Sequence, residues 1–315
     1  MYFYSYSKNS IAAFEKETTE LLFETNFEKE GPNGMGGSIS DLKIDKDGNI
    51  WIYTPGDKLY QMSSTGEVIK KYELKTEEIF EKNISLFGYF EIKDDILFAP
   101  TIPMTFQWTS LTIDEMASLS NLITYDLKED TYEVISTFDK GYLGTNLNKM
   151  IMPSMILGKN GEVIINHNYK DIFVIQDGKQ NSFEASFSGF SSDPPVSSMP
   201  DMFDDMNEIM RIMNYSDAYE RIAYLPIHDK YMRLAKFEES PADGMDFDRT
   251  FLHSKWALIF LNDQFEKEGE IILPESETNG NYIFETKEGV WFSTDHPDNP
   301  NLDEEKFQFR LLKVK

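Results

Sequence analysis

The chain has 315 residues, with 55 acidic against 30 basic side chains, a formal charge of −25, no cysteine, and 40% hydrophobic residues. Nucleic acid and anionic membrane surfaces need clustered Lys and Arg, so both are poor partners; cationic partners or metal ions suit the charge better. The lack of Cys excludes disulfides, thiol catalysis and Cys-ligated metals. No run of about 18 apolar residues offers a membrane span.

In chain order, apolar alternation between turn residues predicts strands. Met1-Tyr2-Phe3-Tyr4-Ser5-Tyr6 lacks the basic region and apolar core of a signal peptide and reads as a strand in progress. The first group is Tyr2–Tyr6, Ser10–Glu15 and Glu20–Asn26. The second is Ile39–Ile44, Ile50–Thr54, Lys58–Met62 and Glu67–Leu74. The third is Ile84–Ile92, Ile96–Ala99, Asn121–Asp126 and Thr131–Phe138. The fourth is Ile151–Leu157, Val163–Asn166, Asp171–Gln176 and Asn181–Phe187. The fifth is Glu220–Pro226, Lys230–Phe237, Lys255–Leu261 and Phe265–Leu273. The last is Tyr282–Glu285, Val290–Thr294 and Phe307–Val314.

A turn motif recurs through these groups. Lys46-Asp47-Gly48-Asn49, Lys159-Asn160-Gly161-Glu162 and Lys287-Glu288-Gly289 each sit between short apolar runs, and Lys93-Asp94-Asp95 is a fourth copy without Gly. Recurrent hairpins mean an array of small sheets. The expected fold is all-β: one six-bladed β-propeller domain over residues 1–315, with a helical insertion at about 199–218 and a shorter one at Ile113–Leu119. The end groups have three strands each. About 20–30 residues upstream of Met1, at ordinary strand lengths, would complete both, so the chain is expected to be N-terminally shortened.

The long connections are Lys29–Ser38, Pro100–Ser120, Asp139–Met150, Ser188–Tyr219, Glu238–Ser254 and Asp295–Lys306. In a four-stranded blade these all leave from one end, and the tight turns occupy the other. One-sided elaboration of a rigid scaffold points to a binding face. Trp108, with Phe106, lies in one such loop and is suited to stack on a sugar or anchor a protein, unless its own loop buries it. Trp51, Trp256 and Trp291 fall inside strands and are expected in the core. Met202, Met206, Met210 and Met213 form a helical stripe that either caps the sheets or offers an adaptable contact.

Asp295, Asp298 and Asp303 are the densest hard ligands, of the kind that hold Ca²⁺, although the spacing is not that of an EF-hand and the run reads first as a stiff acidic loop. The Asp243–Asp248 run is a weaker version, and Asp45–Asn49 is a hairpin turn. Asn33 lies in a Gly-rich loop that lacks the Lys-Ser/Thr of a phosphate cradle; its glycines serve a tight turn near the axis or a main-chain ligand contact. Polar residues recur where inner strands begin: Asp41, Asn83, Asn148, Glu220 and Asn281. A cation-dependent propeller hydrolase would need such a ring, with a base nearby. His167 and His253 are candidates for that base, yet each stands alone and reads first as a solvated loop residue. No Ser-His-Asp set or nucleophile elbow is present.

The run Phe27-Glu28-Lys29-Glu30-Gly31-Pro32-Asn33-Gly34 and the tail Ser293 to Glu304 with Phe309-Arg310-Leu311, together with the opening Tyr6 to Phe14, resemble a family of Bacteroidetes envelope lipoproteins with TolB-like six-bladed β-propellers and a domain of unknown function. The resemblance covers most of the chain. It implies a location in the cell envelope, periplasm or outer membrane, and a lipid anchor in a full-length form. It supplies no catalytic residues. The resulting expectation is a non-enzymatic binding or scaffold protein that holds a protein or carbohydrate partner through the looped face. The alternative is a divalent-cation-dependent hydrolase or lactonase with its site at the channel mouth.

Overall fold

Short apolar runs between Gly, Asp and Asn turns give 23 strands among the described residues. The computed structural model describes residues 2–5, 8–15, 18, 20–36, 39–45, 47–54, 58–75, 84–86, 90–103, 112–140, 154–169, 171–190, 214–238, 251–303 and 305–314. The first sheet contains β1 (Tyr2–Ser5), β2 (Ser10–Phe14) and β3 (Leu21–Asn26). The second contains β4 (Asp41–Ile44), β5 (Ile50–Thr54), β6 (Lys58–Met62) and β7 (Val68–Glu73). The third contains β8 (Ile84–Leu86), β9 (Glu91–Lys93), β10 (Ile96–Pro103), β11 (Ser120–Asp126) and β12 (Thr131–Thr137). The fourth contains β13 (Ser154–Leu157), β14 (Val163–Asn166), β15 (Ile172–Gln176) and β16 (Lys179–Phe183). The fifth contains β17 (Ala218–Leu225), β18 (Lys230–Phe237), β19 (Lys255–Leu261) and β20 (Lys267–Ile272). The sixth contains β21 (Asn279–Thr286), β22 (Gly289–Ser293) and β23 (Phe309–Leu312). These six antiparallel sheets are the sheets of a six-bladed β-propeller, the expected fold class. Among the described residues, a short helix, α1 (Ile113–Ala117), and a 3₁₀ turn at Phe251–His253 interrupt the connections.

The third sheet departs from expectation. The single strand expected over Ile84–Ile92 is two strands along one edge of β10. Phe98 pairs with Glu91, and Thr101 pairs with Leu86, so the edge carries extra residues opposite Ala99 and Pro100. Pro100 has no N–H to continue the ladder, and the pairing jumps beside it. Residues 199–213 of the expected helical insertion lie outside the described residues. Its last expected position, Ala218, opens β17.

The chain divides into two units: residues 1–106 with 118–137, and residues 107–117 with 138–315. In the first unit, Ile11 of β2 packs with Ile50 and Ile52 of β5 and Tyr60 and Met62 of β6, sealed by Phe27, Met35 and Ile39 of the connection between sheets. In the second unit, Ile164, Ile172 and Val174 of the fourth sheet pack on Tyr219, Ile222, Tyr231 and Ala257 of the fifth. Leu234, Trp256 and Leu258 of the fifth sheet pack on Val290 and Phe292 of the sixth. Each such apolar side chain contributes about 1.5–3 kcal/mol by leaving water. Trp51 and Trp256 are buried as expected. Trp291 is only half-buried, and its indole N–H donates to Thr286 Oγ1 at 3.1 Å.

The recurrent turns have the predicted handedness. Gly48 and Gly161 take φ of 82° and 84°. In the copy without Gly, Asp94 and Asp95 both take positive φ, 53° and 63°, a conformation that Asp tolerates better than most residues. Asp45 clamps its turn by accepting from the Asp47 and Asn49 amides, the Asn49 side chain and the Trp51 indole.

Gly280 in β21 lies flat on the Trp256 indole, and a Cβ there would sit 2.5 Å from ring atoms. Gly280→Ala should therefore cost about 1–3 kcal/mol from overpacking. Gly269 in β20 has open space for a Cβ and a φ that L-residues accept, so Gly269→Ala should be neutral or stabilise slightly. Urea denaturation of the two variants beside the parent checks the contrast.

Candidate functional site

Antiparallel meanders send successive connections to opposite ends of a sheet, and in this chain the two ends are unequal. The turns 45–49, 63–67, 127–130, 158–162, 177–178, 226–229, 262–266 and 287–288 are tight. The stretches 27–40, 104–119, 138–153, 184–217, 238–254 and 294–308 are long, and in a meander they share the other end. Trp108 and Phe106 belong to 104–119 but lie outside the described residues, as do Asn83, Asn148 and the Asp243–Asp248 run. Within 104–119, Thr112 and Glu115 form a reciprocal cap on α1: the Thr112 amide donates to Glu115 Oε2 at 2.8 Å, and the Glu115 amide donates to Thr112 Oγ1 at 3.2 Å.

Asn33 has a scaffold role in the structure. Its Oδ1 accepts from the Val68 amide at 3.2 Å, and the next turn of the loop accepts the Tyr60 hydroxyl on Met35 O at 3.1 Å. The Gly-rich loop thus reaches β6 and β7 of the second sheet. Asn281 is exposed in a bulge of β21, its amide donating to Asn279 Oδ1 at 3.0 Å.

The acidic loop at 294–308 ties its carboxylates to itself. Asp295 Oδ2 accepts from Ser293 Oγ at 2.6 Å, and Asp303 accepts from Lys306 Nζ at 2.7 Å and from the Glu305 amide at 3.1 Å. The Asp298 amide donates to His296 Nδ1 at 3.0 Å, while its carboxylate points largely to solvent. Asn299 braces the loop by donating to Thr294 O at 2.6 Å. The structure does not gather Asp295, Asp298 and Asp303 into one ligand set. Among the described residues no three His, Asp or Glu side chains are placed to hold a metal.

Polar clusters do form in both units. In the first, Lys43 of β4 reaches Glu91 of β9 at 3.0 Å, with Asp41 and Tyr2 also in its field. Burial works against the ammonium, yet the two carboxylates outweigh it and raise the Lys43 pKa above its ordinary value. In the second unit, the Arg233 guanidinium is wholly buried. It donates to Asn166 Oδ1 at 2.7 Å and to the Ala185 and His167 carbonyls at 2.9 Å each, and it lies 3.4 Å from the Tyr219 ring centroid. A separate group in the same sheet is Glu220, with the buried Lys236 and Glu238 in its field. Burial raises the Glu220 carboxyl above its ordinary pKa, against the pull of Lys236 and Arg221 and with the push of Glu238. Of the polar residues expected where inner strands begin, Asp41 and Glu220 are therefore the described pair that sit among other charges.

His167 corrects the expectation of a solvated loop residue. His167 is fully buried, edge-on to Phe173 at 4.7 Å, and its carbonyl serves Arg233. His253 meets the buried His296 ring at 6.0 Å, edge to face, joining two long connections of the second unit. Neither contact was legible in sequence: Phe173 comes from the following strand, and His296 lies far along the chain from His253. The Arg233 network did leave a trace: Arg233 and Lys236 interrupt an otherwise apolar strand.

With this geometry in hand, comparison with known proteins identifies the class. The profile of the family described as Domain of unknown function (DUF4221) matches residues 1–272. The chain belongs to that family. A crystal structure of a DUF4221 member from Bacteroides vulgatus superposes with a TM-score of 0.80 at 20% identity, covering 97% of this chain and 86% of the other, which shows a shared fold. A luciferin-regenerating enzyme matches at TM-score 0.46 and 8% identity, over 96% of this chain and 83% of its own. Hydrazine synthase from Kuenenia stuttgartiensis matches at 0.43 and 9%, over 92% and 68%. Neither of these two likenesses carries a functional argument. No curated protein matches the chain.

Arg233→Met should destabilise the protein by about 3–5 kcal/mol, since it strands buried acceptors. Arg233→Lys should rescue little, because one ammonium cannot reach all three acceptors. Chemical denaturation measures both. A second expectation concerns pH. With a raised folded pKa, Glu220 favours the native state at low pH; that contribution is fully present below the ordinary Glu pKa and is lost as pH rises through the folded value. Glu220→Gln should flatten this part of the stability profile, read as urea midpoints from pH 4 to pH 8.

Proposed function

We propose that the chain is a non-enzymatic binding protein of the cell envelope that recognises a protein or glycan through the end of its sheets that carries the long connections. The observation that supports this reading is the inequality of the two ends: every long connection falls in one class and the other class is held to tight turns. Antiparallel sheets need no long loops to fold, so elaboration at one end serves something outside the sheets. The polar groups at hand are consumed in holding structure. Asn33 pins a loop, Arg233 ties carbonyls together, and Asp295 and Asp303 fasten their own turns. Trp108 and Phe106 are the aromatic anchors assigned to the recognition surface. Attachment by a lipid anchor upstream of the chain would place that surface in the envelope. Among the described residues no helix is long and apolar enough to cross a membrane.

Photocrosslinking in native envelopes tests the surface. A crosslinking amino acid at position 108 should capture a discrete partner, and the same group at Lys179, beside a tight turn, should not. Replacing Phe106 and Trp108 by Ala together should weaken capture by tenfold or more, on the order of 2 kcal/mol for lost aromatic anchors. Equal capture from positions 108 and 179 would overturn the assignment.

A further inference from the structure

Not every polar group at the looped end is consumed in holding structure. Asn121, Asn168 and Ser254 carry buried side-chain atoms with no hydrogen-bond partner among the described residues. Asn121 is the second residue of β11, Asn168 lies in the short connection before β15, and Ser254 directly precedes β19. Each stands at or just before the third strand of its sheet, and in a meander that is the end with the long connections. A buried donor or acceptor left unpaired lowers stability, so a group kept on those terms answers to something outside the sheets.

Two of the three belong to the second unit, around Glu220. The Asn168 main-chain carbonyl accepts the Tyr219 amide at 2.6 Å, which sets Asn168 and Tyr169 against the start of β17. Glu220 follows in a bulge of that strand. Burial raises the Glu220 carboxyl and the Tyr169 hydroxyl above their ordinary pKa, yet both residues keep surface that solvent reaches. Groups screened from bulk water and still reachable by it line a recess. Lys236 and Glu238, also in the field of Glu220, end β18, and Ser254 stands across from Glu238 where the register continues past Phe237↔Lys255. Ser254 is only 2% exposed.

The chemistry of this recess selects the ligand. Its fixed charges offset one another: Lys236 and Arg221 favour an ionised Glu220, and Glu238 opposes it. An anion would meet Glu238 and a cation would meet Lys236. The groups left to satisfy are an acceptor, Asn168 Oδ1, and a hydroxyl that both donates and accepts, Ser254 Oγ. Neutral hydroxyl groups answer both, and a sugar ring carries several on a rigid frame.

We infer that this recess at the looped end of the fifth sheet takes an uncharged sugar residue, with Asn168 Oδ1 accepting from one hydroxyl and Ser254 Oγ bonding another. The inference rests on the recognition surface proposed above and narrows its ligand to a neutral glycan. The probes are neutral hexose and N-acetylhexosamine oligosaccharides, immobilised beside their sulfated and de-N-acetylated counterparts and read with the full chain. At least one neutral probe should bind saturably, and its charged counterparts more weakly by about tenfold or more. Ser254→Ala and Asn168→Ala should each weaken that probe about two- to tenfold. Their urea midpoints should stay level or rise, because removing an unpaired group strands nothing in the unliganded protein. A fall in the midpoint would show that internal water completes these groups as part of the fold. Glu220→Gln keeps a neutral donor and acceptor in place and should bind within about twofold of the parent. A loss of about tenfold there would show that a carboxylate charge is required. Either result overturns the inference, as do unchanged affinity in both Ala variants, equal binding of the charged counterparts, or no saturable binding of any neutral probe. Capture of a protein from position 108 with no sugar bound would overturn this inference and leave the recognition surface standing. Sugar binding weakened by Ser254→Ala, with equal capture from positions 108 and 179, would uphold the recess and remove the assignment of Phe106 and Trp108.

Discussion

The fold rests on sheets too small to have an interior of their own. Every residue of β5 and of β14 is buried, and β18 is buried along its whole middle. A four-stranded sheet buries both faces of its central strands only by stacking on a neighbour. The three apolar clusters are the result, each shared between consecutive sheets of one unit. The outer strands escape this demand, so β7, β16 and β20 are largely exposed. Packing uses the faces of the sheets and leaves the connections and the edges available for other work.

Polar groups enter this apolar stack under strict terms. Arg233 is tolerated in a buried strand because three acceptors and an aromatic face meet its planar fork. Glu162 is buried in a hairpin turn because Tyr231 donates to it at 2.6 Å and the Asn160 amide at 2.8 Å. Both side chains knit the fourth sheet to the fifth. Such ties fix the placement of the two sheets against each other. The charged pair Lys43 and Glu91 plays a comparable part between the second and third sheets of the first unit.

The candidate site was less legible than the fold, for physical reasons that differ by residue. Asn33 looked like a ligand contact because sequence shows its loop but not the Val68 amide that the loop covers. Asp295, Asp298 and Asp303 looked like a ligand set because sequence proximity resembles spatial convergence. The loop instead turns each carboxylate toward a different local donor or solvent. His167 looked solvated because it follows a strand, and the buried Phe173 ring against it is contributed by the next strand. In each case residue type and spacing leave open which partner the folded backbone brings within reach.

Sequence alone determined what depends on neighbours along the chain. Period-two alternation fixed the strands, with Ile50–Thr54, Lys58–Met62, Val163–Asn166, Lys230–Phe237 and Lys255–Leu261 found at their expected bounds. Turn chemistry fixed the hairpins, and the order of short and long connections fixed which end of each sheet is elaborated. Tertiary structure decided what depends on distant groups: the break between β8 and β9 beside Pro100, the burial of Arg233 and His167, and the meeting of His253 with His296. Local backbone preference is written every two residues. Charge satisfaction and packing are settled only when strands far apart in sequence share one interior.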